Sequence, residues 1–380
     1  MSYQILDPLQ YQQSLNVRDL TDAALGPHAL QLLVQHAIEA LRTAWQCAVV
    51  VHRASPVVTI AENYDRLLCP ADGISRDARY TRYVSDSHLL RTQTSAMIPG
   101  ALPLISAAGY SDILIACPGL TYRRDCIDRR HVGEPHQLDL WRVRKARLWR
   151  EDLVAMAETV VGTLLPGAVM QIKETAHPYT VDGLEIHARV SGDWLEVLEC
   201  GLAHPKILGA AGLPTDEYSG LAMGIGLDRM LMLRKGIDDI RALRSVDPRI
   251  SRQMLDLEPY RPVSVQPPIR RDLSIAVASL LTSEELGDRV RSALGDRCKN
   301  IEEIAVVSET PYLELPPEAR QRLGIGPHQK NVLLRIIIRD LERTLTSDEA
   351  NLLRDEIYAA CHEGSVNSWA ARGHSPNTTY

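Results

Sequence analysis

The chain predicts an α+β fold in two parts: an antiparallel sheet flanked by helices, then a smaller β-α-β-β-α-β unit. Three observations predict it. Residues 117–143 read strand, long loop, strand, with His136, Leu138 and Leu140 alternating against Gln137, Asp139 and Trp141. That alternation is the signature of an antiparallel hairpin. Residues 217–244 pass from an apolar, glycine-punctuated run into a periodic helix, with Arg229 at the joint. Three prolines within residues 262–268 mark a linker, after which strand and helix patterns resume in a new order.

Composition sets the outer bounds. A length of 380 residues suggests two domains, and a hydrophobic content of 45% with 24% charge is that of a folded, water-soluble chain. The net charge of -6 excludes nucleic-acid binding by bulk charge, though not by a local basic face. The seven cysteines are dispersed, without metal-ligand spacing, which fits reduced thiols in a cytoplasmic protein. The N-terminal residues carry neither a basic region nor an apolar core, and no apolar run reaches membrane-spanning length, so no membrane role is expected. The chain has no phenylalanine, where ordinary usage gives on the order of ten or more. With 13 tyrosines and 5 tryptophans present, the cause is not a general avoidance of aromatic residues.

Taken in order, residues 1–45 predict a helical extension. Leu30, Leu32, Leu33, His36, Ala37, Ile38, Leu41 and Trp45 give an amphipathic helix after the breaker pair Gly26-Pro27. Val49–Val51 predicts a strand, and a polar loop through Asp86 is too long for a simple connector. Arg91, Gln93, Thr94 and Ser95 stand as polar donors just before a helix starting near Ile98. On the hairpin that follows, Arg123, Asp125, His131, Gln137 and Asp139 concentrate hydrogen-bonding groups that a core does not need. A helix over 150–165 and a strand over 168–174 come next. Two or three strands fill 177–208, with Asp193 at a turn and Glu196 able to point toward Arg229. Gly220, Gly224 and Gly226 leave a floor without side chains where a flat ligand can meet backbone. Beyond the linker, strands over 272–278, 301–308 and 331–340 and helices over 283–294 and 347–362 predict a ferredoxin-like unit closed by a short strand over 366–370. The domains are thus expected at 1–45, 46–262 and 263–370, with a tail over 371–380.

These motifs carry a resemblance. LLRTQTSAM resembles LLRTHTS, and YRRDCIDRRHVGEPHQLD resembles a motif 2 with its F-H-Q-x-E. WLEVLECG resembles W-L-E-V-x-G-C-G, and GLAMGIGLDR resembles the motif 3 pattern G-F-A-F-G-x-G-x-E-R. RRDLSIAV and IIIRDLERTLTSDE resemble strands of an anticodon-binding domain. Over nearly its whole length the chain resembles the single-chain, organellar-type phenylalanyl-tRNA synthetase of class II, as a phenylalanine-free homologue. The resemblance implies a class II synthetase antiparallel sheet with a C-terminal ferredoxin-like anticodon-binding domain. It implies ATP-dependent activation of phenylalanine or a close aromatic analogue and its transfer to tRNA, specifically tRNA-Phe, with Mg2+, by a monomer. It places Arg123 on the α-phosphate and Arg229 on the γ-phosphate of ATP, both suited by their permanent forked charge. His131 meets the phosphate tail, and Asp125, Gly224 and Gly226 complete the ATP site. Gln93, Ser95, Gln137 and Asp139 hold the amino acid's polar end. His177, Tyr179 and Ala222 line its side-chain pocket. Glu196 is expected either to bind the metal or to support the residues that do, and Arg271, Arg339 and Arg343 are expected tRNA contacts.

The departures from the family pattern matter. The pocket phenylalanines fall at His177 and Tyr179, and those of motif 3 at Leu221 and Met223. Removal of phenylalanine explains these four. It does not explain Gln93 for His, Asp139 for Glu, Leu140 for Gly, or Val181 where many relatives carry a carboxylate or His. Two accounts of the missing residue stand side by side. In one, the chain is made while charged tRNA-Phe is scarce. In the other, it is a paralogue that activates a different aromatic amino acid. A catalytically silent tRNA-binding or regulatory paralogue is a third reading, opposed by the retained Arg123, Arg229, His131 and Gln137.

Overall fold

The computed structural model describes residues 5–190, 192–263 and 267–367. The chain divides into two compact units, residues 1–123 with 134–261, and residues 124–133 with 262–380.

The first unit contains, in chain order, β1 (Ala48–Val51), β2 (Val57–Thr59), β3 (His88–Leu90), β4 (Asp112–Leu120), β5 (His136–Arg144), β6 (Val169–Glu174), β7 (Thr180–Arg189), β8 (Leu195–Ala203) and β9 (Ser219–Gly226). Seven of them form one sheet in the order β1-β4-β5-β9-β8-β7-β6, parallel at β1–β4 and antiparallel at the other five pairings. β2 and β3 pair separately. The sheet reads as buried on both faces at its centre: from Ile113 to Leu120 every residue of β4 is buried. The fold is therefore the α+β antiparallel sheet that the sequence predicts.

Helices supply the cover. Helix Ala29–Trp45 buries Leu30, Leu33, Val34, Ala37 and Leu41 along one stripe and packs on helix Arg150–Leu164. It starts at His28, whose Nδ1 accepts from the Leu30 N–H while Nε2 lies 3.0 Å from the Leu243 carbonyl. Burial lowers the His28 pKa to about 4, which keeps the ring neutral. Residues 20–45 thus share the first unit's core. Helix Leu227–Lys235 buries Leu227, Met230 and Leu231 and stops at Gly236, whose φ of +67° is the left-handed cap that glycine adopts without strain.

The second unit has β10 (Ile269–Ala278), β11 (Ile301–Pro311) and β12 (Gln329–Ile338) in the antiparallel order β10-β12-β11. Helices Ser283–Leu294 and Ser347–Cys361 each begin with a capping box, Thr282 with Glu285 and Thr346 with Glu349. Their apolar stripes meet the sheet through Leu273, Ile275, Leu286, Val290, Leu334 and Ile357. A short helix, Pro317–Leu323, falls in a stretch for which the sequence predicts no element. The short strand expected over 366–370 lies mostly outside the described residues; Val366 and Asn367 are not in strand conformation. The free edge of β10 is met instead by Glu363, whose N–H donates to the Ala276 carbonyl at 2.8 Å. Residues 124–133 belong to this unit. Ile127 joins its core, and the Arg291 guanidinium donates to the carbonyls of Asp125 (2.7 Å) and Cys126 (2.8 Å).

Candidate active site

Strand register builds the site in the first unit. Residues directly opposite in an antiparallel pair project to the same side. Gln137, Asp139 and Trp141 of β5 stand opposite Gly226, Gly224 and Ala222 of β9. Glu199 and Gly201 of β8 stand opposite Gly224 and Ala222 on the far side. One sheet face therefore carries a channel floored by Gly226, Gly224 and Ala222, with Gln137 and Asp139 along one wall and Glu199 on the other. A Cβ added to Gly224 would make only an ordinary contact, 3.8 Å from Asp139 Oδ2. The space above that glycine is open, as a ligand floor requires.

The first wall is fixed by residues 92–95. Ser95 donates to Asp139 Oδ2 at 2.6 Å and the Trp141 indole donates to Oδ1 at 2.8 Å. The Thr94 N–H donates to Gln137 Oε1 at 3.2 Å. Burial pushes the Asp139 carboxyl up to about 6, against the pull of these donors. Gln93 turns away and donates to the Asn63 carbonyl at 3.2 Å. The Arg123 Nε donates to the Thr92 carbonyl at 2.8 Å, which ties the motif 2 arginine to the same segment.

The opposite wall holds a charge cluster. His177 Nε2 lies 3.0 Å from Glu199 Oε2. The His177 and Tyr179 rings are 5.7 Å apart, and Tyr179 stacks on Trp141 at 6.5 Å. Glu196 lies 3.8 Å from Arg229. Simple alternation puts Glu196 and Glu199 on opposite faces. Between the pairs Ile186–Leu198 and His187–Glu196, however, β8 advances two residues while β7 advances one. This bulge brings Glu196 to the side of Glu199. Burial and the neighbouring Glu199 raise the Glu196 carboxyl, while the His177 hydrogen bond holds Glu199 low against the effect of burial.

A buried bracket holds hairpin and helix together. The His136 N–H donates to Asp228 Oδ2 at 2.5 Å and its Nδ1 lies 3.0 Å from Oδ1. His136 Nε2 accepts from the Leu20 N–H at 3.1 Å. Asp228 is the residue before Arg229, so the bracket fixes where Arg229 leaves the sheet.

The structure thus gathers Arg123, Ser95, Gln137, Asp139, His177, Tyr179, Glu196, Ala222, Gly224, Gly226 and Arg229 in the first unit, with Gln93 beside them but aimed elsewhere. Asp125 and His131 belong to the second unit, where Asp128 Oδ2 lies 2.7 Å from His131 Nδ1. Among the described residues, the one His/Cys/Asp/Glu group with metal-ligand spacing is Asp125, Cys126 and His131; Glu196 is not in it. The expected tRNA arginines all have protein partners: Arg271 with Asn351 (2.9 Å), Arg343 with Glu349 (2.7 Å) and Arg339 with Glu302 (2.5 Å). Sequence reading missed Glu199. Its signal was present, since it stands where W-L-E-V-x-G-C-G has its first glycine.

Comparison with known proteins follows the same lines. Residues 20–254 match the family model of the class II tRNA synthetase core domain (F). The chain is 31% identical over 317 residues to the phenylalanine–tRNA ligase, chloroplastic/mitochondrial, of Arabidopsis thaliana, covering 80% of this chain and 68% of that one. It is 30% identical over 370 residues to the probable phenylalanine–tRNA ligase, mitochondrial, of Drosophila melanogaster, covering 82% and 77%. A bacterial relative, the phenylalanine–tRNA ligase alpha subunit of Thermosynechococcus vestitus, matches at 34% over 191 residues, half of this chain and 55% of the subunit.

Proposed function

The chain belongs to the class II tRNA synthetase core family, beside the single-chain phenylalanine–tRNA ligases, and from that premise we propose the following division of labour at its site. As a member it is an aminoacyl-tRNA ligase that uses ATP. The observation that carries the residue assignment is the register of Gln137, Asp139 and Trp141 over Gly226, Gly224 and Ala222, with Arg229 in the first turn of the next helix.

The amino acid's ammonium sits against Asp139, which Ser95 and the Trp141 indole orient, and Gln137 holds the polar end from the next rung of the sheet. Its side chain enters toward Ala222, Tyr179 and His177. Adenine lies on the Gly224–Gly226 floor. A carboxylate oxygen of the amino acid attacks the α-phosphorus, the bond to the β-phosphate oxygen breaks, and pyrophosphate leaves. Arg123 neutralises charge at the α-phosphate and Arg229 at the γ-phosphate, the positioning and electrostatic work that such transfers need. A terminal hydroxyl of tRNA, specifically tRNA-Phe, then takes the aminoacyl group and AMP is released. We assign Mg2+ to Glu196, since that ion keeps several waters and needs only one or two carboxylates besides the phosphates; bound there, it would neutralise phosphate charge. Arg271, Arg339 and Arg343 face the anticodon end, in a C-terminal domain we take to span 263–370. We place the protein, as a monomer, in the cytoplasm. Its seven free thiols suit a reducing compartment, and no helix among the described residues is long and apolar enough to cross a membrane.

ATP–pyrophosphate exchange with aromatic amino acids, followed by charging of total tRNA, tests the reading. No exchange with any of them, together with tRNA binding, would favour a silent paralogue. One pH effect follows from Asp139. Only its ionised form attracts an ammonium, and burial holds its pKa at about 6. Amino-acid kcat/KM should therefore rise as pH increases from about 5 to about 7 and level off above, because that ratio reports the free enzyme's ionisations. Asp139→Asn should lower kcat/KM throughout and flatten this limb of the profile.

A further inference from the structure

The His177–Glu199 contact joins two positions at which the chain departs from the family pattern, and only one departure follows from the absence of phenylalanine. His177 stands at a pocket phenylalanine of the family pattern, so a chain purged of that residue must carry something else there. Glu199 stands at a glycine of W-L-E-V-x-G-C-G, which such a purge leaves alone. Yet the two side chains meet at 3.0 Å. Glu199 also faces Gly224, across the channel from Asp139.

The surroundings give the pair a direction. Trp141, Tyr179 and His177 form a run of rings, with centroids 6.5 and 5.7 Å apart, and Glu199 sits at its far end. The His177 hydrogen bond keeps Glu199 ionised, and Arg123 adds to that effect. The His177 contact engages one carboxylate oxygen, and the Glu199 side chain remains 39% exposed. A ring seated beside His177 takes the rest of that carboxylate out of water. A plain phenyl ring offers nothing in exchange, and a buried acceptor left without a donor costs free energy. A ring with its own donor restores the bond.

We propose that the pocket prefers an aromatic amino acid whose ring carries a hydrogen-bond donor, a phenolic hydroxyl in the simplest case, and that His177 and Glu199 set this preference. The inference rests on the reading of this face as the amino-acid site. Sites built to hydrogen-bond a substrate hydroxyl discriminate far more strongly against its absence than apolar pockets do against its presence.

The test is ATP–pyrophosphate exchange by the full chain with phenylalanine, meta-tyrosine, para-tyrosine and the methyl ether of para-tyrosine. At least one tyrosine isomer should exceed phenylalanine in kcat/KM by about tenfold or more, and the methyl ether, which keeps the ring and loses the donor, should give no such gain. In the double variant H177F/E199G the ratio should move toward phenylalanine by about tenfold. Glu199→Gln, which keeps the shape and removes the charge, should fall between the two while melting near the parent. Preference for phenylalanine over every hydroxylated ring overturns this inference and leaves the adenylate-forming reading intact. No exchange with any of the four overturns both.

Discussion

Replacing Arg229 by alanine should lower ATP–pyrophosphate exchange by about 10²–10³-fold, which is roughly 3–4 kcal/mol of transition-state stabilisation. The melting temperature should hardly move. The prediction rests on how Arg229 is attached. It is the third residue of helix Leu227–Lys235, whose packing residues are Leu227, Met230 and Leu231. Its ion pair with Glu196 spans 3.8 Å between groups 32% and 42% exposed, a geometry worth little to stability. The bracket that does hold the helix, His136 with Asp228, is untouched by the substitution. Arg229→Lys should recover part of the rate, because it restores the charge but not the fork. Arg123→Ala should cost as much in rate and more in order, since Arg123 also holds the Thr92 carbonyl at 2.8 Å. Thermal melts beside exchange assays separate the two. Full exchange activity in Arg229→Ala would remove this arginine from the phosphate site.

The same residues show where sequence reading reaches its limit. The β4–β5 hairpin and the glycine strand β9 are legible because their alternation and punctuation are local. The pairing of Asp139 with Gly224 follows once the strands are neighbours. Glu199 is not legible as a partner of Glu196. The bulge that puts them on one side arises from the pairing of β8 with β7, and strict alternation counted along β8 sends one of them to the wrong face. Asp125 and His131 lie on a stretch without periodicity. Its course is set by contacts far away in sequence, such as Arg291 with the Asp125 carbonyl. Gln93 looks like a ligand donor by position, yet the Asn63 carbonyl claims it. Composition carries one further message. The chain places Trp141, Tyr64, Tyr83 and Tyr122 among its largest fully buried side chains. Tyr64 donates to the Ser75 carbonyl at 2.6 Å and Tyr83 to the Arg76 carbonyl at 2.7 Å. The core thus takes large aromatic rings, with acceptors for the Tyr64 and Tyr83 hydroxyls, so the absence of phenylalanine is not an exclusion of large rings from the core.

Substituting Glu302 by glutamine should destabilise the second unit by about 3–5 kcal/mol, the usual cost of removing one partner from a buried ion pair. Glu302 is 0% exposed on β11, where Arg339 Nε lies 2.5 Å from one carboxylate oxygen and Arg129 Nε donates to the other at 2.6 Å. One buried carboxylate therefore answers two guanidinium groups. Glutamine keeps the volume and one acceptor oxygen, but it has no charge and turns an NH2 toward one of the arginines. Arg129 is 45% exposed and can turn to water, whereas Arg339 is only 20% exposed and is the more costly to strand. For a unit of this size the loss corresponds to a fall of roughly 10–20 °C in its melting transition. A change below about 1 kcal/mol would show that water reaches the pair freely. The point bears directly on tRNA recognition. Arg339→Ala leaves the same buried acid with one partner fewer, so a loss of tRNA affinity in that variant reports recognition only if the melt is unchanged. Arg343 meets Glu349 in the open, with side chains 55% and 39% exposed, and its removal should cost little stability. A drop in tRNA affinity from Arg343→Ala would therefore belong to the tRNA interface itself. It should come with a shallower salt dependence, since each phosphate that is no longer neutralised takes about one counterion out of the slope.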